Sequence, residues 1–197
     1  MKRDETRLKL IEGTIHVIAN EGLDKATTKR IGTFTDINEA YIYRCFEDKE
    51  DMLVQTFNYV DDELLSAIME NLSVMYLTEL DFDLRARMFF ESIWKFMLDN
   101  KNNCLAFIRL YYSPYFMNYS YNLHQEKYAP VLEQFKLAFM EEANVAMIMN
   151  HILTTSLVFA VNVFTGAVPN NEDTTEHVFR VIHASVRQYL KRKESNA

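Results

Sequence analysis

Five histidines, two cysteines and four glycines are the residues from which a catalytic, metal-binding or phosphate-binding site would have to be assembled, and their spacing points away from all three. His16, His124, His151, His177 and His183 show no paired metal-ligand spacing, and Glu176-His177 reads as polar surface at a helix start. Cys45 and Cys104 sit in helical patterns without metal-type spacing and read as small buried side chains in a reducing compartment. The glycines, Gly13, Gly22, Gly32 and Gly166, are isolated, which excludes the usual phosphate-binding loops and the serine nucleophile elbow. The sequence therefore predicts no catalytic site, no metal centre and no cofactor. Residues 27–46 suggest a different chemistry. They read as two short helices around a tight turn, an arrangement in which the first helix braces a nucleic-acid backbone while the second presents its N-terminal side chains to the major groove.

The elements that must position this motif are helical. Leu8, Ile11, Ile15 and Ile18 recur at three- and four-residue steps, predicting a first helix with one apolar stripe that stops at Gly22. Thr27 or Thr28 can cap a second helix through Ile31 and Phe34, Asp36 fills the turn, and Asn38 caps a third helix over 39–44. Asp48 caps a long fourth helix, in which Met52, Leu53, Phe57, Val60, Leu64, Leu65, Ile68 and Leu72 keep a helical period for about six turns. Further helices are expected at about 82–100, 103–112, 121–142, 145–166 and 174–192.

Composition agrees with an all-α chain. Only four glycines and three prolines occur in 197 residues, too few to punctuate a set of short strands. The N-terminal residues lead into a charged amphipathic segment without the apolar region of a signal peptide, so a cytoplasmic location is expected. The most apolar stretch, 152–168, is interrupted by Thr154, Thr155, Ser156, Asn162 and Thr165 and reads as a buried helix rather than a membrane span. The net charge of −7 would discourage DNA binding if spread evenly, but it is not. Residues 1–49 carry nine basic and nine acidic side chains, while residues 50–197 carry 12 and 19 and account for the whole excess.

Gly22, Thr27-Thr28, Ile31-Gly32, Asp36-Ile37, Ile42-Tyr43, Phe46 and Lys49-Glu50-Asp51-Met52-Leu53 together resemble the N-terminal signature of the TetR family of transcriptional regulators, without gaps over residues 8–53. The resemblance implies a three-helix DNA-binding domain at 1–49, joined by a long helix to a larger effector-binding and dimerisation domain at 50–197. It places Thr28 and Lys29 near phosphates or a base edge, and Asn38, Glu39, Ala40 and Tyr41 facing bases. Tyr43 and Lys49 take the backbone-clamping positions, where a phenol hydroxyl and an ammonium are suitable phosphate donors. Asp36 departs from the glycine usual in the family's turn. Glu39 replaces a residue that is often basic or neutral, and would accept from cytosine N4 or repel phosphate. Cys45 stands where the family often has histidine or tyrosine.

What the resemblance implies for the rest of the chain is a homodimer through the last two long helices, about 145–166 and 174–192, on a palindromic double-stranded operator with half-sites about 34–36 Å apart or at multiples of that spacing. Ile148, Met149, Ile152, Leu153, Phe159, Val163 and Phe164, with Val178, Val181, Ile182, Val186 and Tyr189, leave more apolar surface than one core face needs. Fourteen Phe, eleven Tyr and ten Met, densest over 111–121, suit either a plain core or a pocket for a small apolar or aromatic effector. Arg109, Tyr112, His151, Thr155 and Asn162 are the candidate effector-binding residues. The expected function is a repressor released from its operator by such a ligand. The alternative is a TetR-like interaction protein whose neutral N-terminal face engages a protein partner.

Overall fold

The computed structural model describes residues 3–191 and is all-α. Its nine α-helices among the described residues are α1 (Arg3–Glu21), α2 (Thr28–Thr35), α3 (Glu39–Cys45), α4 (Lys49–Asn71), α5 (Phe82–Asp99), α6 (Lys101–Tyr111), α7 (Tyr121–Lys136), α8 (Val145–Phe164) and α9 (Glu172–Val186). They form two compact units, one of Met1–Ser66 with Asn100–Glu126, the other of Ala67–Asp99 with Lys127–Ala197. The expected functional division near residue 49 is a different partition from this packing one, because α4 and α6 contribute to the first unit's core.

In the first unit α1 packs against α2, α3 and α6. Its inward face is Leu10, Ile11, Ile15, Val17 and Ile18, with the Thr14 hydroxyl donating to the Leu10 carbonyl at 2.8 Å. Leu8, expected on this stripe, is exposed at 42%; the buried face begins at Thr6 and Leu10 instead. Gly22 ends α1 with φ 106°, and its N–H reaches the Val17 and Ile18 carbonyls at 3.2 and 3.1 Å. That positive φ costs glycine nothing, whereas a β-carbon would be strained there. Arg109 on α6 donates to the Ile18 carbonyl, fastening α6 to the end of α1.

The aromatic run of 111–121 divides between inside and outside. A π-helical turn, Phe116–Ser120, leads into α7 and turns Phe116 inward against Phe57 and Tyr111, at centroid distances of 5.1 and 4.4 Å. Tyr112, Met117 and Tyr119 face out, each at least 60% exposed.

In the second unit α5 packs against α8 and α9, and α8 against α9. Asn144 and Asn171 cap α8 and α9 through their side-chain oxygens, accepting from Met147 and Thr174 N–H at 3.0 and 2.9 Å. The Trp94 indole donates to the Thr175 hydroxyl at 3.0 Å, and Arg87 grips Glu176 with both terminal nitrogens while stacking on Phe179. These contacts hold α5 to α9.

Two expected helix ends move. α7 stops at Lys136 rather than near 142, because the backbone of 138–140 pairs with the C-terminal segment. Met140 N–H donates to Tyr189 O at 2.9 Å and Lys191 N–H to Ala138 O at 3.0 Å, burying Phe139. For the same reason α9 stops at Val186 and continues as a short turn, Arg187–Tyr189, into extended backbone. Residue 192, the expected end of that helix, lies outside the described residues.

α8 is, among the described residues, the one helix long and apolar enough to cross a membrane by length and composition, with mean hydropathy 1.6. Only 22% of that apolar window is buried within the chain, so the expectation of a buried helix fails for the single chain.

Candidate nucleic-acid interface

The two short helices are set by local caps. The Thr27 hydroxyl oxygen accepts from Arg30 N–H at 3.1 Å and opens α2. Asp36 closes it in left-handed geometry, φ 55° and ψ 39°, as its turn position anticipated. Asn38 then accepts from Ala40 N–H at 2.9 Å and opens α3. Asp48 accepts from Asp51 N–H at 2.7 Å and Asp51 in turn accepts from Glu47 N–H at 2.9 Å, a reciprocal cap that starts α4 at Lys49.

Two glycines fix the spacing of these helices. A β-carbon on Gly32 would lie 2.8 Å from the backbone oxygen of Ile37, so the turn into α3 folds directly onto α2. A β-carbon on Gly13 would lie 2.2 Å from Thr35 Cγ2, so α1 and the end of α2 approach as closely as the backbone allows.

With Ile42 and Cys45 buried, α3 turns its other side outward. Glu39, Ala40, Tyr41, Tyr43 and Arg44 are exposed, Tyr41 at 49% and Tyr43 at 57%. Lys29 and Asn38 are exposed, and Thr28 and Lys49 are half-buried. The Thr28 hydroxyl donates to the Glu39 carboxylate, joining the first residues of α2 and α3. Glu39 therefore has a hydroxyl partner inside the motif, a restraint that sequence spacing did not suggest.

Two cations that the sequence reasoning left out belong to the same region. The Arg44 guanidinium lies 4.6 Å from the centroid of the Tyr41 ring, a cation–π contact that stiffens both side chains. Their i, i+3 spacing on one helix was the available signal. Arg30, one residue after Lys29, is instead tied to Glu21, with Nε at 3.1 and 2.8 Å from the two carboxylate oxygens. The Arg30 hydrogen bond holds the Glu21 carboxyl below its ordinary range.

Both cysteines are buried. Burial pushes the Cys104 thiol up to about 12, leaving it protonated and inert near neutrality. Among the described residues no group of three His, Cys, Asp or Glu side chains could hold a metal.

The candidate effector residues divide between the two units. Arg109 is engaged with the Ile18 carbonyl and Tyr112 is 68% exposed, both in the first unit. His151, Thr155 and Asn162 lie on α8, where His151 Nε2 is 2.9 Å from the Ser185 hydroxyl and Thr155 Oγ1 is 3.4 Å from His151 Nδ1. The Asn162 backbone carbonyl accepts from Ala167 N–H at 2.9 Å. None of the five lines the apolar cavity of the second unit. The cavity, about 110 Å³, is walled by Ile68, Met75, Phe89, Phe90, Trp94, Met97, Phe135, Met149, Ile152, Phe179 and His183, among others. It draws on α4, α5, α7, α8 and α9, and Met149, Ile152, Leu153, Ile182 and Val186, which were expected at the dimer surface, line it.

No family model matches the chain, and no curated protein matches it. Solved structures do. A TetR family transcription regulator from Marinobacter aquaeolei VT8 is similar with a TM-score of 0.78 and 16% identity, over 96% of this chain and 97% of that one. A regulator from Shewanella sp. PV-4, described as a TetR family member, gives 0.75 and 14% over 98% and 100%. The multidrug binding protein EbrR, solved with imidazole, gives 0.65 and 10% over 100% and 99%. The chain has the all-α fold of the TetR-family transcription regulators.

Proposed function

We propose that this protein is a dimeric, cytoplasmic DNA-binding transcription regulator that releases a palindromic operator when a small apolar ligand occupies the cavity of the second unit. The observation that carries the reading is the outward face of α3. Between two capped turns and over a core of Ile31, Ile42 and Phe46, it exposes Asn38, Glu39, Ala40 and Tyr41 for base edges and Tyr43 for a phosphate. Lys29 and Lys49 flank it as cations. Residues 1–49 are thus the DNA-reading part and 50–197 the sensing and dimerising part.

Dimerisation is assigned to α8 and α9. Met147, Val158 and Val181 are each at least 50% exposed, and a two-fold pairing of these helices would cover them. Covering them would also account for a helix whose apolar window is only 22% buried in one chain. Ligand control is assigned to α4, which carries Lys49 in its first turn and Ile68 in the cavity wall. A ligand that fits the cavity in one position of this helix better than another biases the DNA-reading end. Similarity to a protein named as multidrug binding agrees with a small-molecule ligand.

The test is sedimentation of the full chain with a palindromic duplex selected from a random pool. One dimer per duplex, dissociated by apolar compounds that bind the cavity, is the expected result. A chain that stays monomeric and ignores the duplex overturns the proposal and leaves a protein-binding role for the neutral N-terminal face.

A further inference from the structure

Beside the apolar cavity lies a second cleft of about 360 Å³, which shares Met75, Phe82, Phe135, Ala138 and Leu190 with it but differs in chemistry. This cleft also contains Arg85, Lys191, Tyr76 and Gln134. No Asp or Glu side chain lines either space among the described residues, so the cleft carries two cations without a lining carboxylate.

Arg85 is incompletely satisfied. One terminal nitrogen donates to the Met75 carbonyl and the guanidinium lies 5.6 Å from the centroid of Phe82, but Nε is buried with no hydrogen-bond partner among the described residues. A buried guanidinium N–H without an acceptor costs on the order of 1–3 kcal/mol or more, so such groups normally have a partner. A carboxylate or phosphate in the cleft supplies the countercharge that the lining of Arg85 and Lys191 lacks, and accepts hydrogen bonds from the guanidinium and the ammonium. Next to it, the cavity offers aromatic and methionine side chains and few polar groups. Its Ser156 hydroxyl is already bonded to the Ile152 carbonyl at 2.8 Å.

We infer that the effector is an anionic amphiphile, its aliphatic tail in the apolar cavity and its carboxylate or phosphate head in the cleft against Arg85 and Lys191. This rests on the reading of the cavity as the effector site and names the chemical class that site selects. Tail burial supplies affinity in proportion to apolar area, and the head supplies selection, because a neutral or cationic head leaves the Arg85 and Lys191 charges without a countercharge in the cleft.

Trp94, the only tryptophan in the chain, lines the cavity, so its fluorescence reports occupancy directly. The experiment titrates the full chain with decanoate, decyl phosphate, decan-1-ol and decyltrimethylammonium, and repeats this with Arg85→Gln and Arg85→Lys, each checked by thermal melting. Saturable binding of decanoate or decyl phosphate is expected, with decan-1-ol about tenfold weaker and the ammonium weaker still. The stronger anion tells a carboxylate effector from a phosphate one. Arg85→Gln should abolish the anion preference while leaving decan-1-ol binding intact, and Arg85→Lys should restore part of it. If decan-1-ol or the ammonium binds as tightly as the anions to the unmodified chain, a result that needs no variant, the anionic-head inference is overturned and the effector cavity stands. If none of the four changes the fluorescence or releases operator DNA, the cavity loses its effector role as well.

Discussion

His124 Nδ1 lies 3.0 Å from Oδ1 and 3.1 Å from Oδ2 of Asp61, and both side chains are buried in the first unit. Phe57, Tyr111 and Phe116 pack around the imidazole. The pair fastens the start of α7 to α4 and with it the helix that begins at Lys49. Loss of either side chain breaks this buried hydrogen bond, at a cost of about 1–3 kcal/mol. His124→Phe or Asp61→Leu should lower the unfolding free energy from urea titration by that amount, and the double variant should recover much of the loss. Additive losses in the double variant would show that the two residues act independently.

The turn between α2 and α3 makes opposite demands at two positions. Asp36 sits at φ 55°, where glycine is at no disadvantage and a β-branched residue is strained. Asp36→Gly should hold or raise stability by up to about 1 kcal/mol, and Asp36→Val should lower it by about 1–2 kcal/mol. Gly32→Ala drives a methyl into the Ile37 carbonyl and should cost about 1–3 kcal/mol while also weakening operator affinity, since α3 must move to make room. Urea titrations with a DNA-binding assay separate the two effects.

Glu176 sets an acid limit on the second unit. Hydrogen bonds from Arg87 first and Arg180 second hold its carboxyl down at about 2, from the ordinary 4.5. The unfolded chain therefore takes up this proton more readily than the folded one. The stabilisation is complete above about pH 4.5 and is lost as the pH falls toward 2. Glu176→Gln should leave a shallower decline of the urea midpoint over that interval. An unchanged decline would mean that other carboxylates govern acid unfolding.

Much of the two-helix motif of 27–46 was legible in the sequence because its determinants are local. Thr27, Asp36, Asn38 and Asp48 each act within three or four residues, and their caps and turn stand where residue type and spacing put them. The cavity was not legible for the opposite reason. Ile68, Phe135 and His183 meet only through tertiary packing, and no local signal marks Arg85 as facing a cleft. His151 and Thr155 stand on α8 outside the cavity lining, which Met149, Ile152 and Leu153 of the same helix supply. The end of α7 was missed likewise. Its helical period runs on past Lys136, and the backbone pairing of Phe139 with Leu190 leaves no mark within either segment.

The phosphate clamp is tested by single substitutions on an exposed surface. Tyr43→Phe removes only a hydroxyl from a side chain 57% exposed, so folding should be unaffected while operator affinity falls several-fold, about 1 kcal/mol. Lys49→Ala should weaken binding to all sequences alike and reduce the salt slope by about one. Parallel anisotropy titrations on operator and scrambled duplex distinguish these outcomes.

The most direct test of the central claim is selection of bound sequences from a random duplex pool by the full chain, followed by affinity against salt concentration for the winner. The account predicts an enriched palindrome with half-sites about 34–36 Å apart or at multiples of that spacing, bound with a steep loss of affinity as salt rises. No enriched sequence, together with binding that is absent or indifferent to salt, would contradict it.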